Sequence, residues 1–312
     1  MTDNNNTPIS RSGFVALVGR PNVGKSTLTN ALLGEKVSIV TPKPQTTRTR
    51  IHAIVNRPNA QLVLIDTPGF CGSETPLRRV LRKIAGKAPA DSDITLIVTD
   101  MKGKEPNISK TDREVIEAAQ SGPGKVVLAI NKIDKLPRKE MLLPWIEKFH
   151  EETDLEAIIP ISAKNGDGLE VLEETLISML PEGEAMFPPD MYTDQVERCM
   201  CEELIREQLL FQTHEEVPHS AAVVIETFED GRSEGAMVRL EGRIIVARDS
   251  QKGIVVGKKG ARIKEISTKA RENIEELLGS KVFLRLAVAV DKQWTRHETS
   301  ILRYGIGQEL EE

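Results

Sequence analysis

Near the start of the chain, Gly19-Arg20-Pro21-Asn22-Val23-Gly24-Lys25-Ser26-Thr27 has residue types and spacing suited to holding phosphate. The pattern G-x-x-x-x-G-K-[ST] does this when it joins a strand to a helix. Backbone N–H groups of the loop and of the following helix N-terminus then converge on phosphate oxygens. Lys25 brings a point charge to the β and γ phosphates, and the Ser26 hydroxyl is placed to ligate Mg²⁺. A Gly-rich turn that matches by chance is the bland alternative. The apolar run Phe14–Val18 before the motif and the helical pattern after it argue against chance.

Three more segments fit around that loop. Asp66-Thr67-Pro68-Gly69 puts a carboxylate where it can hold a Mg²⁺ shell and an N–H, that of Gly69, where it can sense a γ-phosphate. Asn131-Lys132-Ile133-Asp134 can read a base. The Asp134 carboxylate accepts from N1–H and the exocyclic amine of guanine, and adenine would leave it buried and unpaired. Asn131 braces the loop, and the Lys132 stem covers the base plane. In Ser162-Ala163-Lys164 a backbone N–H could meet guanine O6. Each short match alone reads as a solvated turn. All four in this order point to GTP or GDP as the ligand.

These residues need a scaffold of buried strands. Phe14–Val18, Ile51–Asn56, Leu62–Ile65, Ile94–Val98, Val126–Ile130 and Ile158–Ile161 are short and rich in Val and Ile, and helical patterns follow several of them. That alternation predicts an α/β domain with a mostly parallel sheet. The pair around Pro58 and Asn59 is joined too closely for a parallel crossover and is expected to be one antiparallel hairpin. The expected boundaries are a tail over residues 1–12, a nucleotide domain over 13–181, a Pro/Gly-rich linker over 182–191 and a second domain over 192–312.

The second domain reads as α+β. A helix is expected over Gln195–Phe211, with Val196, Cys199, Met200, Leu204 and Leu210 for its apolar face. Strands follow at Ala221–Phe228 and Ala236–Val246, then helices near Gln251–Val256 and Arg262–Leu278, then a strand Val282–Val290. Between the last two helices lies Gly257-Lys258-Lys259-Gly260, a G-x-x-G loop of the kind that clamps single-stranded nucleic acid by its backbone. Lys258, Lys259, Arg262 and Lys264 are the candidate RNA-binding cations. A lone G-x-x-G is weak, and an ordinary helix–turn–helix is its bland reading. Charge adds weight. Arg243–Arg296 holds thirteen Lys/Arg against six Asp/Glu, a balance of +7, which leaves −12 for the rest of a chain of net charge −5.

The motif forms Gly-Arg-Pro-Asn-Val-Gly-Lys-Ser, Asp-Thr-Pro-Gly and Asn-Lys-Ile-Asp resemble the translation-factor-related GTPases. Within them they look like the branch of Era, the tRNA-modification GTPases and the double-GTPase ribosome factors. With the second domain included, the chain resembles Era-like GTPases over nearly its whole length. The implied fold is an α/β P-loop GTPase domain followed by an α+β type II KH domain. Pro44-Gln45-Thr46-Thr47-Arg48 resembles the first switch of that family, in which a threonine closes on Mg²⁺ and the γ-phosphate. Alignment favours Thr47 over Thr46 and makes Ser26, Thr47 and Asp66 the metal set. Phe70 stands where Ras-type proteins carry the glutamine that orients attacking water, so hydrolysis must use backbone, water or a partner. In relatives an asparagine at the position of Asn22 helps to bind K⁺. Asn22, Lys25, Ser26, Thr47, Asp66 and Gly69 are therefore the expected catalytic group.

The resemblance also implies partners. Era-like proteins bind the 3′ end of 16S rRNA and associate with the small (30S) ribosomal subunit, and some also associate peripherally with the membrane. Expected here are a monomer, that RNA and a cytoplasmic site, with contact at the inner face of the cell membrane left open because no lipidation motif explains it. A tRNA-modifying GTPase would need a second catalytic site, and the C-terminal half shows no reactive Cys or cofactor motif. A membrane switch with the second domain as a protein adaptor is the remaining alternative. No apolar run approaches the ~20 residues of a membrane span, and Met1–Arg11 lacks the apolar core of a signal peptide. Cys71, Cys199 and Cys201 are too few for a disulfide framework.

Overall fold

The structure is a computed structural model and describes residues 11–72, 75–101 and 106–310. The chain divides into two compact units. The first holds the described residues of 11–38, 47–72 and 81–194, and the second those of 39–46, 75–80 and 195–310.

In the first unit six strands form one sheet in the order β2-β3-β1-β4-β5-β6. They are β1 (Arg11–Val18), β2 (Ile51–Arg57), β3 (Ala60–Asp66), β4 (Ile94–Asp100), β5 (Lys125–Asn131) and β6 (Ala157–Pro160). β2 pairs with β3 antiparallel, closing at Arg57 opposite Ala60, and every other neighbour is parallel. The helices are α1 (Lys25–Leu33), α2 (Pro76–Lys87), α3 (Lys110–Gln120), α4 (Leu143–Glu152) and α5 (Leu169–Met179).

The sheet is covered on both faces, which is why its strands read as continuous apolar runs and not as alternation. Leu96, Val98, Val127 and Ala129 pack with Leu28 and Leu32 of α1 and Leu172 and Leu176 of α5. Their neighbours Ile97, Val126, Leu128 and Ile130 turn the other way, toward Ala85, Val115, Ile116, Trp145 and Phe149. The C-terminal ends of the parallel strands, where such sheets hold ligands, carry the loops after Val18, Asp66, Asn131 and Pro160.

The second unit has α6 (Glu197–Gln212), β7 (Ala221–Glu229), β8 (Val238–Val246), α7 (Asp249–Val256), α8 (Ala261–Leu278), β9 (Val282–Val290) and α9 (Glu298–Arg303). β8 pairs antiparallel with β7 and parallel with β9. The crossover between β8 and β9 is α7, the Gly257–Gly260 turn and α8. One core joins Leu204, Ile205 and Leu209 of α6, Leu240 and Ile244 of β8, and Ile266, Ala270 and Ile274 of α8.

Several expectations shift. Residues 1–10 of the expected tail lie outside the described residues, but Arg11 and Ser12 belong to β1, opposite Ala60 and Gln61. The Pro/Gly-rich stretch is not a free linker. β2 is an edge strand whose unpaired groups attract passing chain. Its Ile54 N–H donates to the Tyr192 carbonyl, and the Asn56 amide donates to the carbonyls of Pro189 and Met191. The apolar face of α6 is rotated from the expected one. Cys201, Ile205 and Leu209 join Met200, Leu204 and Leu210 inside, while Val196 is 64% exposed and Cys199 is exposed.

Candidate functional site

β1 ends at Val18 and the chain turns through Gly19–Gly24 into α1. Gly24 has φ +100°, and a Cβ there would stand 2.4 Å from the Asn131 amide nitrogen. Only glycine suits that left-handed backbone at such close approach. Lys25 is buried, and its Nζ donates to the carbonyls of Gly19 (3.2 Å) and Arg20 (3.3 Å). Burial lowers its pKa to about 8 despite the opposing pull of Asp66. The second motif is packed directly on this loop. The Phe70 N–H donates to the Gly19 carbonyl at 2.8 Å, and a Cβ on Gly69 would meet the Pro21 Cα at 2.7 Å. Thr27 lies in the first turn of α1, half-buried.

Three expected metal ligands converge. Ser26 Oγ and Thr47 Oγ1 are 2.9 Å apart, and the Thr47 hydroxyl donates to Asp66 Oδ2 at 3.5 Å. Asp66 is fully buried, and its Oδ1 has no hydrogen-bond partner. Burial pushes its carboxyl pKa up. An orphaned, buried carboxylate oxygen beside two hydroxyls suits a hard cation with oxygen ligands, and Mg²⁺ fits this donor set beside phosphate and water. Thr46 faces elsewhere. Its hydroxyl pairs with Thr41 Oγ1 and donates to the Lys43 carbonyl, each at 2.8 Å. Ile39–Thr46 packs on α6. Ile39 joins the second core, Val40 N–H donates to Glu207, the Lys43 ammonium donates to the carbonyls of Leu210 and Thr213, and Arg206 donates to the Thr46 carbonyl.

At the base-reading end, Asn131 is the brace. Its amide donates to the Val23 carbonyl (2.8 Å), and its Oδ1 accepts from the N–H groups of Lys132 (2.7 Å) and Ala163 (3.0 Å). Lys132, at φ +65°, donates from Nζ to the Asn22 carbonyl and to Asp100. The stem therefore lies across the space between the two loops. The Ser162 hydroxyl donates to Asp134 Oδ1 at 2.7 Å and orients a carboxylate that is itself exposed. Ser162 N–H and Ala163 N–H are already given to Asp167 and Asn131, while Lys164 is exposed beside them. Ile133 is half-buried behind this turn.

One residue works differently from the sequence reading. The Arg20 side chain turns away from the loop interior to Asp112 (2.7 Å), Asp100 (2.9 Å) and Thr99 (3.1 Å). Only its carbonyl faces Lys25. Phe70 is 5% exposed and sits in the core with Ile97 and Val115, so its ring orients no water. The Thr99–Asp100–Asp112 support was missed. An acid at the end of an otherwise apolar run was the available signal.

In the second unit, Gly257 (φ +73°) ends α7, and Gly260 precedes α8. A Cβ on Gly257 would meet the Arg262 Cβ at 2.7 Å. The Arg262 guanidinium donates to the Ile254 carbonyl and so closes the loop on α7. Lys258, Lys259 and Lys264 are exposed and, among the described residues, make no ion pair. Other cations of the basic segment are neutralised: Arg243 by Glu226, Arg271 by Glu275, Lys292 by Asp249. Lys258, Lys259 and Lys264 thus keep exposed charge at the loop and on the first turn after it. Ile263, in the first turn of α8 after the loop, and Leu284, Leu286 and Val288 of β9 are partly buried against the core. Trp294 is fully buried and donates from Nε1 to the Ser220 carbonyl at 3.1 Å.

Residues 14–132 match a family model described as 50S ribosome-binding GTPase, and residues 216–295 match one described as KH domain. The chain is 43% identical to the GTPase Era of Syntrophus aciditrophicus over 298 residues, 96% of each chain. It is 42% identical to that of Geobacter metallireducens over 95% of this chain and 97% of the relative. Two solved structures are similar, each at 40% identity over 95% of this chain and 99% of theirs. One is an Aquifex aeolicus Era variant bound to GDP and aluminium fluoride, with a TM-score of 0.89. The other is Era in complex with MgGDPNP and nucleotides 1506–1542 of 16S ribosomal RNA, with a TM-score of 0.90.

Proposed function

The chain belongs to the Era family of GTPases, and we propose that this GTPase binds the 3′ end of 16S rRNA through its KH loop and assists small (30S) subunit assembly and rRNA maturation. The observation that carries the reading is that one chain has both a braced phosphate and metal site and a Gly-Lys-Lys-Gly loop whose two lysines are exposed. The solved relative with nucleotides 1506–1542 of 16S rRNA supports the choice of RNA.

In this reading Gly19–Lys25 cradles GTP or GDP, and Lys25 exchanges its two loop carbonyls for phosphate oxygens. Ser26, Thr47 and Asp66 hold Mg²⁺, which when bound neutralises charge on the β and γ phosphates. Asp134, oriented by Ser162, reads guanine. The buried Phe70 leaves water orientation to backbone groups near Gly69 and to ordered water. Asn22 is the residue that would hold K⁺, which would supply positive charge beside the phosphates in the role an arginine finger serves elsewhere. The protein acts as a cytoplasmic monomer.

Crosslinking of the full chain in cells, followed by sequencing of bound RNA, tests the assignment. Reads should accumulate at the 3′ end of 16S rRNA. Reads dominated by tRNA would move the protein to the modification GTPases. The absence of enriched RNA would favour a membrane or protein adaptor. Separately, replacing K⁺ by Na⁺ should slow GTP hydrolysis, and equal rates would remove Asn22 from that role.

A further inference from the structure

Strand β4 lies in the sheet between β1 and β5, the strands that lead into the phosphate loop and the base-reading loop. β4 itself carries neither motif. Its last residue, Asp100, is in register with Asn131, where the base-reading motif begins. On the other side the phosphate loop passes so close that a Cβ on Gly19 would stand 2.2 Å from the Val98 carbonyl oxygen. Asp100 can therefore reach both loops.

Each of its oxygens is given to one of them. Oδ1 accepts from the Arg20 guanidinium at 2.9 Å, and Oδ2 accepts from the Lys132 ammonium at 2.8 Å. Asp112 balances the remaining charge, but it pairs with Arg20 alone, at 2.7 Å, and is itself held by the Ser109 hydroxyl. Lys132 has no second acid among the described residues. The other partner of its ammonium is the Asn22 carbonyl on the phosphate loop. A lysine stem gives up much rotamer freedom when it is held in one place. Here groups of the protein itself hold it, and the largest of these interactions is with Asp100.

We propose that Asp100 is a positioning residue for guanine-nucleotide binding. It anchors the Lys132 ammonium so that the stem lies across the base plane, and by sharing its carboxylate with Arg20 it keeps the base-reading and phosphate loops in one register. The inference rests on the guanine-nucleotide reading of the site and adds which residue joins its two halves. A stem fixed in advance costs less to order when the nucleotide binds. Asp134, which reads the base edge, takes its orientation from Ser162 and stands outside this network. Asp100 thus governs how tightly the nucleotide is held and not which base is chosen.

The test measures GDP affinity and GDP release on the full chain and on Asp100→Asn, Lys132→Met, the double variant and Asp112→Asn. Asp100→Asn keeps the side-chain shape and removes the charge. Its GDP affinity should fall about three- to tenfold, the cost of ordering one long side chain, chiefly through faster release. The ratio of GDP to IDP affinity should be that of the parent, because inosine lacks only the amine that Asp134 reads. Single-turnover hydrolysis at saturating GTP should also hold, since Thr47, Asp66 and Gly69 are untouched. The double variant should release GDP no faster than the faster single variant, because both act through one ion pair. Asp112→Asn takes an acid from Arg20 and leaves Lys132 its partner. It should lower the melting temperature and keep the parent's GDP affinity. If Asp112→Asn weakens GDP as much as Asp100→Asn does, the network only packs the phosphate loop and the inference is wrong. Losses that multiply in the double variant overturn it as well. Should Asp100→Asn fail to fold, Lys132→Met decides alone. It keeps an apolar stem without the ammonium, and GDP release at the parent's rate would remove the anchor. A parent that binds no GDP overturns the nucleotide reading, whereas a parent that binds GDP beside variants that match it overturns this inference only.

Discussion

The nucleotide site and the Gly257–Gly260 loop handle charge in opposite ways. Lys25, Thr47, Asp66 and Asn131 are all buried, and their polar atoms are tied to one another or to backbone, save the one Asp66 oxygen that suits a cation. Lys258 and Lys259 are exposed and make no ion pair among the described residues. A buried, braced site recognises by geometry, since a wrong ligand leaves desolvated groups unpaired. A solvated cationic loop recognises by charge and reach, since each phosphate contact releases counterions and is weakened by salt. The first should therefore respond to substitution with large losses that depend little on salt. The second should lose less and lose it in proportion to salt.

The largest expected effect tests the geometric half. Asp134→Asn presents an amide where guanine presents N1–H and an amine, and where xanthine presents O2. The ratio of GTP to XTP affinity should fall by about 10⁴-fold, the discrimination typical of a site built to hydrogen-bond its ligand. Calorimetric titration of both nucleotides checks it, and an unchanged ratio would break the comparison at its stronger end. Next comes Lys25→Ala, which removes a buried cation from phosphate contact. GDP and GTP affinity should fall by roughly 10²- to 10³-fold, as for other truncated buried charge pairs, while circular dichroism stays that of the parent. A loss that disappears at moderate salt would mean that Lys25 acts like a surface charge.

The same contrast explains what could be read in the residues alone. The phosphate and base motifs were legible because their chemistry demands a rigid spacing, and buried strands advertise themselves as unbroken apolar runs. Partnerships were not legible. Periodicity could place Val196 and Cys199 near the apolar side of α6 but not choose between the faces that carry Cys199 and Cys201, and Val196 and Cys199 are exposed. Arg20 sits inside the motif, yet its guanidinium is committed to Asp100 and Asp112, acids 80 and 92 residues away. The packing of Ile39–Thr46 on α6 depends on carbonyls at Leu210 and Thr213 that only the folded chain offers. The G-x-x-G loop was legible only weakly because four residues with two glycines fit many turns. What marks it in three dimensions is the left-handed backbone at Gly257, Lys259 and Gly260 with both lysines exposed.

The electrostatic half is tested by Lys258→Asp/Lys259→Asp, which turns two attractive charges into two repulsive ones. Affinity for single-stranded RNA from the 3′ end of 16S rRNA should fall about tenfold to a hundredfold at low salt, and the log–log salt slope should flatten by about 1.4. GDP affinity should be that of the parent. Filter binding at two salt concentrations beside a nucleotide titration reads all of this. A large loss with an unchanged slope would mean that the loop acts by shape and would bring it closer to the nucleotide site.

The smallest effect is the sharpest, because it separates charge from backbone at adjacent residues. Lys259 is held at φ +52°, ψ +29°, a left-handed conformation that costs a non-glycine residue roughly 1 kcal/mol. Lys258 is not among the residues with positive φ. Lys259→Gly and Lys258→Gly each remove one exposed ammonium, so each should flatten the RNA salt slope by about 0.7. Their effects on stability should differ in sign. Lys259→Gly relieves the strain and adds unfolded-chain entropy, for a net gain of at most about 1 kcal/mol. Lys258→Gly adds only the entropy and should destabilise by a similar amount. The chain's other tryptophan is Trp145 in α4, so in a Trp145→Phe background the fluorescence of the buried Trp294 reports the second unit alone. Urea midpoints should then move in opposite directions while the two salt slopes coincide. Strain kept at Lys259 is explained if the left-handed turn presents its ammonium to the RNA backbone. Should Lys259→Gly raise stability and leave the salt slope untouched, that ammonium has no phosphate partner, and the loop's charge resides in Lys258.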